Sequence, residues 1–247
     1  MIIPALVVIL WIYTSNCTET PASILPSITK VKDAFIKMLQ DGQLQKDLGV
    51  SFQRILKGYA WAILLGGTLG ICMGMWGLAK NLFNLTATSI RQVPMMAWVP
   101  LIILWCGIGE LSKVVIIVIA AFFPIMVNTL QGIETTPGNY LELARLYNLN
   151  KWDTFRKVYL PHALPGILVG LKLGISSAWM AVVGAEMIAA SSGIGFRMSD
   201  SRSKMRSDVL IACMLVVGLV GIVMDKGLVA LFRKLTPWTR KEGNKNE

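Results

Sequence analysis

The chain has 247 residues, 54% of them hydrophobic and 15% charged, with a formal net charge of +10. A soluble domain carries roughly 25% charged residues, so this composition argues against one. The positive charge raises nucleic-acid binding as a function, but the basic residues flank long apolar runs, and a membrane protein with basic flanks accounts for them.

Charges are absent from Met1–Thr18, Gly58–Ala79, Gln92–Gly109, Val114–Ile133 and Val209–Met224. A helix crosses a bilayer core in about 20 apolar residues, and these runs approach that length. Val158–Ala190 adds a sixth, interrupted by Lys172 and Glu186. None alternates as barrel strands do. The expectation is an all-α membrane protein with six transmembrane helices.

In chain order, span one covers residues 1–18. Met1–Tyr13 lacks the basic start and cleavage site of a secretory signal. Residues 19–57 read as an external amphipathic segment, with Val31, Phe35, Met38 and Leu39 at helical spacing. The core, 58–232, holds spans two to six, at about 58–79, 92–109, 113–132, 162–190 and 208–232. A loop at 134–160 lies between spans four and five, and a basic tail runs from 233 to 247. Cys17, Cys72, Cys106 and Cys213 show no disulfide or metal-ligand spacing, so no metal site is expected.

Two spans carry glycines at fourfold spacing: Gly66, Gly70 and Gly74, and Gly166, Gly170 and Gly174. Each set lies on one helix face, where small residues admit a neighbouring helix. Lys and Arg total eleven on each side of a six-span topology, so the positive-inside rule does not orient it.

The 134–160 loop contains two candidate helix starts. Asn139 followed by Glu142, and Asn150 followed by Asp153, look like N-caps with an acid at N3. Asn148 between them tolerates a left-handed helix end. Pro161 disfavours a helical residue before it, so the second helix is expected to stop near Leu160. Leu141, Ala144 and Leu149 form a small apolar patch suited to a protein partner.

That segment resembles the Glu-Ala-Ala loop of ABC-importer permeases. Glu142, Ala144, Arg145, Leu160, Pro161, Ala163 and Pro165 match, while Leu143 and Asn148 stand where the family has Ala and Gly. Other stretches are similar to the nitrate/sulfonate/bicarbonate, taurine-type branch. They include Leu25-Pro26, Pro94 to Trp105, Gly107-Ile108-Gly109-Glu110, Phe123-Pro124, Ala185-Glu186-Met187 and Ser191 to Gly195.

The resemblance implies a type I importer permease fold in the bacterial inner membrane, with the loop in the cytoplasm and both termini inside. It implies ATPase coupling through Tyr140, Leu141, Glu142, Ala144, Arg145, Asn148 and Leu149. For Glu142 a cap alone, and for Arg145 an i,i+3 salt bridge, are the plain alternatives. The implied partners are two cytoplasmic ATPase subunits, a second permease copy, an extracytoplasmic solute-binding protein and the bilayer, with no nucleic acid. No GxxxxGK[ST] sequence occurs, so ATP and Mg belong to the partner ATPase and this chain carries no cofactor.

Ionisable groups within spans are functional candidates. Lys172 lies roughly 15 Å into span five, and Glu186 about 21 Å further along the helix. Lys172 would attract an anion or else snorkel, whereas Glu186 would repel an anion and pair with an arginine. Arg91, Gln92 and Trp98, beside Pro94 and Pro100, are candidates for the pathway because broken helices often line cavities.

No catalytic residue is expected. His162 is the sole histidine, and no GxSxG element accompanies it, which disfavours a membrane enzyme. An ATP-independent carrier would not need the amphipathic loop. For the solute, the resemblance implies a small anion, with an organosulfonate preferred over nitrate, bicarbonate or a thiamine precursor.

Overall fold

The computed structural model describes residues 2–17 and 24–235. Those residues form helices and short connections, with no strand among them. In order, the helices are α1 (Ile2–Cys17), α2 (Ile28–Gln40), α3 (Gln43–Met75), α4 (Gly77–Arg91), α5 (Met95–Cys106), α6 (Glu110–Glu134) and α7 (Gly138–Leu146). They continue with α8 (Lys151–Thr154), a π-helical turn (Phe155–Tyr159), α9 (Leu160–Ala189), α10 (Ile194–Ser203) and α11 (Ser207–Leu235).

Four stretches among the described residues are long and apolar enough to cross a membrane: Gln43–Met75, Glu110–Glu134, Lys151–Ala189 and Ser207–Phe232. The pair α4 and α5, bent by 100° at residues 92–94, makes a fifth if it crosses as one. Four or five of the six expected spans are thus long and apolar enough among the described residues, by length and composition. Helix α1, which falls within the expected first span, is described over Ile2–Cys17.

Two boundaries differ from the sequence reading. The amphipathic segment does not extend to residue 57. It ends with α2, and α3 begins at Gln43 and runs through Lys57 without a break. Residues 80–91 form most of α4 rather than a loop. Of the basic tail, residues 233–235 still belong to α11, and residues 236–247 lie outside the described residues.

The chain divides into two compact units: residues 1–53 with 182–222, and residues 54–181 with 223–247. In the first, α2 buries Val31, Ala34 and Met38 at helical spacing and exposes its lysines. Met38 Sδ lies 4.0 Å from Cys213 Sγ of α11.

In the second unit α6 is the central helix, with a glycine ladder on each of two neighbours. A Cβ built on Gly66 would meet the Phe122 carbonyl oxygen at 2.8 Å, and one on Gly70 the Met126 carbonyl oxygen at 2.7 Å. From α9, a Cβ on Gly170 would meet Asn128 Cβ at 2.8 Å, and one on Gly174 would meet Ile125 at 2.9 Å. Gly74 and Gly166 make the corresponding approaches to Ile133 and the Asn128 carbonyl. The backbones touch because nothing stands between them. The α3 ladder begins earlier than the sequence reading had it, at Gly58, whose Cβ would meet Ile117 at 2.6 Å.

Candidate functional site

The 134–160 segment is built around a helix stop. Asn148 has φ 51°. The Asn148 N–H donates to the Arg145 carbonyl, and the Leu149 N–H donates to the Ala144 carbonyl, both at 3.0 Å. These two bonds form a Schellman motif, with Asn148 at the left-handed position where glycine is commonest. The next helix starts as its sequence predicts, with Asn150 Oδ1 accepting from the Asp153 N–H at 2.7 Å.

Three expectations for this segment are corrected. First, α7 begins at Gly138 after Pro137, so Asn139 lies inside the helix and is not its N-cap. Its side chain accepts only from the adjacent Tyr140 N–H, at 3.2 Å. Second, the chain does not stop near Leu160. Pro161 has no N–H for the Lys157 carbonyl, and the π-helical turn just before it takes up the misfit. The Leu160 N–H reaches back to the Phe155 carbonyl, and the helix continues to Ala189.

Third, the patch of Leu141, Ala144 and Leu149 is less exposed than expected, though Ala144 and Leu149 line the groove described next. Ala144 is 4% exposed, and Leu141 and Leu149 are half-buried. The exposed apolar side chains are Tyr140, Leu143, Leu146, Tyr147 and Trp152, with Leu146 and Tyr147 at 77% and 78%. Tyr140, Leu143 and Tyr147 line a groove of about 690 Å³ that also takes in Lys157 and His162. Glu142 and Arg145 are both exposed, and no salt bridge joins them among the described residues.

A second feature lies at the α4–α5 bend. A cavity of about 500 Å³ is lined there by Arg91 and Trp98, by Asn128 of α6 and by Ser177 of α9. Pro124 and Ala120 also line it, and Pro124 has no N–H for the Ala120 carbonyl. Asn128 Nδ2 donates to the Pro124 carbonyl at 2.8 Å. Arg91 occupies the last turn of α4, where a cation complements the helix dipole.

Of the pathway candidates, Arg91 and Trp98 share this cavity. Gln92 caps α4 with its backbone and does not line it. Lys172 pairs with Asp225 of α11 at 3.0 Å and is likewise not part of the lining.

Glu186 is elsewhere, three residues before the end of α9, in the first unit and 0% exposed. Ser51 Oγ lies 2.8 and 2.9 Å from its two oxygens and donates to the carboxylate. The Gly195 N–H donates to Glu186 at 3.0 Å, and the Ile194 N–H donates to Ser51 Oγ at 3.2 Å. The Gly193 N–H donates to Asp47, which also pairs with Arg197. These side chains satisfy the first N–H groups of α10, which otherwise have no helical partner. Gly193 has φ 110°, and a Cβ there would fall 2.4 Å from the Glu186 carboxyl carbon, so only glycine fits.

In the second unit, Arg54 is 3% exposed and makes a two-pronged ion pair to Glu110, at 2.7 Å through Nε and 2.6 Å through Nη2. Buried Lys113 joins the same carboxylate at 2.9 Å. The sequence reading singled out none of Asp47, Ser51, Arg54, Glu110, Lys113 or Asp225 for a site. A signal existed: Asp47, Ser51 and Arg54 fall at i, i+4 and i+7, one face of a helix.

Residues 58–241 match the family of binding-protein-dependent transport system inner membrane components. The chain belongs to that family. A Methanocaldococcus jannaschii protein named as an ABC transporter permease is 36% identical, over 96% of this chain and 91% of its own length. The taurine transport system permease protein TauC of Escherichia coli is 34% identical, over 80% of this chain and 72% of its own. The nitrate import permease protein NrtB of Leptolyngbya laminosa is 32% identical, over 78% and 70%.

Among solved structures, a chain of the MetNI methionine ABC transporter in an inward-facing conformation superposes with a TM-score of 0.62. It is 16% identical, and the match covers 77% of this chain and 97% of that one. The fold is that of a type I ABC-importer permease.

Proposed function

We propose that the chain is the membrane-spanning subunit of an ATP-driven importer, taking a small oxyanion and, by first preference, an organosulfonate such as taurine. The observation that carries the coupling part is the exposed face of α7. Tyr140, Leu143 and Leu146 project from a nine-residue helix and Tyr147 from its C-cap, where the Asn148 turn ends it. Apolar side chains outside the lipid core need a protein cover, and a cytoplasmic ATPase supplies it. Two ATPases, a second permease copy and an extracytoplasmic binding protein complete the assembly.

With α7 inside, α9 crosses outward and α11 returns, which brings the end of α11 to the cytoplasmic side. If α1 also crosses, the amino end is cytoplasmic too. The chain then resides in the bacterial inner membrane.

The Arg91 cavity supports an anionic solute, and TauC supports a sulfonate. NrtB keeps nitrate as a second reading; bicarbonate or a thiamine precursor would use the same machinery. Closing of the ATPases changes which side of the cavity is open, and solute shifts that equilibrium only by binding the two states unequally.

The test is the full assembly, reconstituted with the ATPase and binding protein encoded beside it. Tyr147→Asp should abolish binding-protein-stimulated ATP hydrolysis and co-purification of the ATPase while the permease remains folded. Undiminished hydrolysis by Tyr147→Asp, or by a chain lacking residues 140–150, would overturn the coupling role. Uptake of labelled taurine against labelled nitrate decides the solute, and Arg91→Ala should weaken whichever is carried.

A further inference from the structure

The first unit holds a groove that the transport reading does not use. It has a volume of about 450 Å³ and lies between α1, α2 and α11, within the roughly 300–1,000 Å³ usual for small-molecule sites. Its walls are apolar with a single charged exception, Lys32. On α2, Val31, Lys32 and Phe35 share the groove-facing stripe, at spacings that put them on one helix face. Ala212, Leu215 and Leu219 form the matching stripe on α11.

Two observations identify the occupant. The first is depth. Ala212 to Leu219 lie five to twelve residues beyond Ser207, about 8–18 Å along the helix. The span Ser207–Phe232 has 26 residues, about 39 Å, against a core of about 30 Å, so a centred span puts this stretch about 3–13 Å deep, within one leaflet.

The second observation is charge. Lys32 is exposed and makes no ion pair with any described residue. Lys30 and Lys37 flank it on α2, against one acid, Asp33. An ammonium with no ion pair among the described residues, at the rim of an apolar slot, complements an anionic head on an apolar tail. Free phosphate would leave the slot empty, and an uncharged tail would leave Lys32 unmatched.

We propose that this groove binds one anionic phospholipid, with an acyl chain between α2 and α11 and the headgroup phosphate on Lys32. Membrane residence is all this requires of the family; neither solute nor ATPase coupling enters it.

The experiment is native mass spectrometry of the purified full-length chain, titrated with phosphatidylglycerol and, separately, phosphatidylcholine. Phosphatidylglycerol should be retained more strongly. Lys32→Gln should weaken its retention about five-fold, and Lys32→Glu further. Lys37→Glu, the same charge change outside the groove, should stay within about two-fold of the unaltered chain. A photoreactive side chain placed at Leu215 should cross-link to lipid.

Equal retention of the two lipids, or no loss in Lys32→Gln, would overturn the proposal. So would equal losses in Lys32→Glu and Lys37→Glu, which would mean unspecific surface charge. Cross-linking of Leu215 to a second copy of the chain would assign the groove to a dimer contact instead.

Discussion

The two ends of α3 solve the same packing problem with opposite chemistry. The helix has 33 residues, about 50 Å by helical rise. Its inner face carries Asp47, Ser51 and Arg54 at one end, and Gly58, Ala62, Gly66, Gly70 and Gly74 along the rest. The glycine part, residues 58–75, measures about 27 Å, close to the hydrocarbon thickness. There no hydrophobic force draws helices together, so close van der Waals approach must do it. The polar end projects past that length. It packs through buried hydrogen bonds to Glu186 and the start of α10 in one unit, and through a part-buried ion pair to Glu110 in the other. One end thus depends on having no side chains, the other on having particular ones.

That contrast can be tested, starting where the effect should be largest. Glu186→Leu removes the acceptor for Ser51 and for the Gly195 N–H, all in a buried site. A cost of about 2–5 kcal/mol is expected, because two buried donors lose their acceptor, read as the largest fall in the thermal unfolding midpoint of the detergent-purified chain. Glu186→Gln, which keeps an acceptor, should recover part of it. A wild-type midpoint for Glu186→Leu would mean that the polar end is not held by its hydrogen bonds.

Gly70→Leu probes the other end and should cost up to about 3 kcal/mol through overpacking. Its side chain has only the Met126 carbonyl and Thr129 to meet. Gly67, one residue round the helix from the packed face, has nothing within 4 Å, so Gly67→Leu should leave the midpoint almost unchanged. Equal effects of the two would remove the glycine face from the account.

Ser51→Ala should cost about 2 kcal/mol, because a buried carboxylate and the Ile194 N–H each lose a partner. The smallest change is Asn148→Ala, away from both regions. Forcing alanine into the left-handed turn should cost about 1 kcal/mol, with Asn148→Gly restoring the midpoint.

Much of this was legible in the chain. The glycine spacing at 66, 70 and 74 implied close helix packing because helical periodicity maps spacing onto a face. Asn148 was legible as a left-handed turn because few residues adopt that conformation cheaply. The break ahead of the expected third span was not, because apolar length alone does not show that residues 92–94 bend the chain by 100°. Nor was the outward face of α7, where Ala144 rather than the larger Leu143 turned inward; both are apolar, and only packing distinguishes them.

Glu186 shows the limit best. The sequence by itself determined that an ionisable residue near the end of an apolar run needs a partner, since an unpaired charge there is costly. It also determined the family, the membrane habit and the glycine faces, all of which follow from local order along the chain. Only the tertiary structure decided that its partners include Ser51, 135 positions earlier, and the Gly195 amide beyond the end of its own helix. A hydrogen bond depends on distance in space, and nothing in helical periodicity relates residue 51 to residue 186.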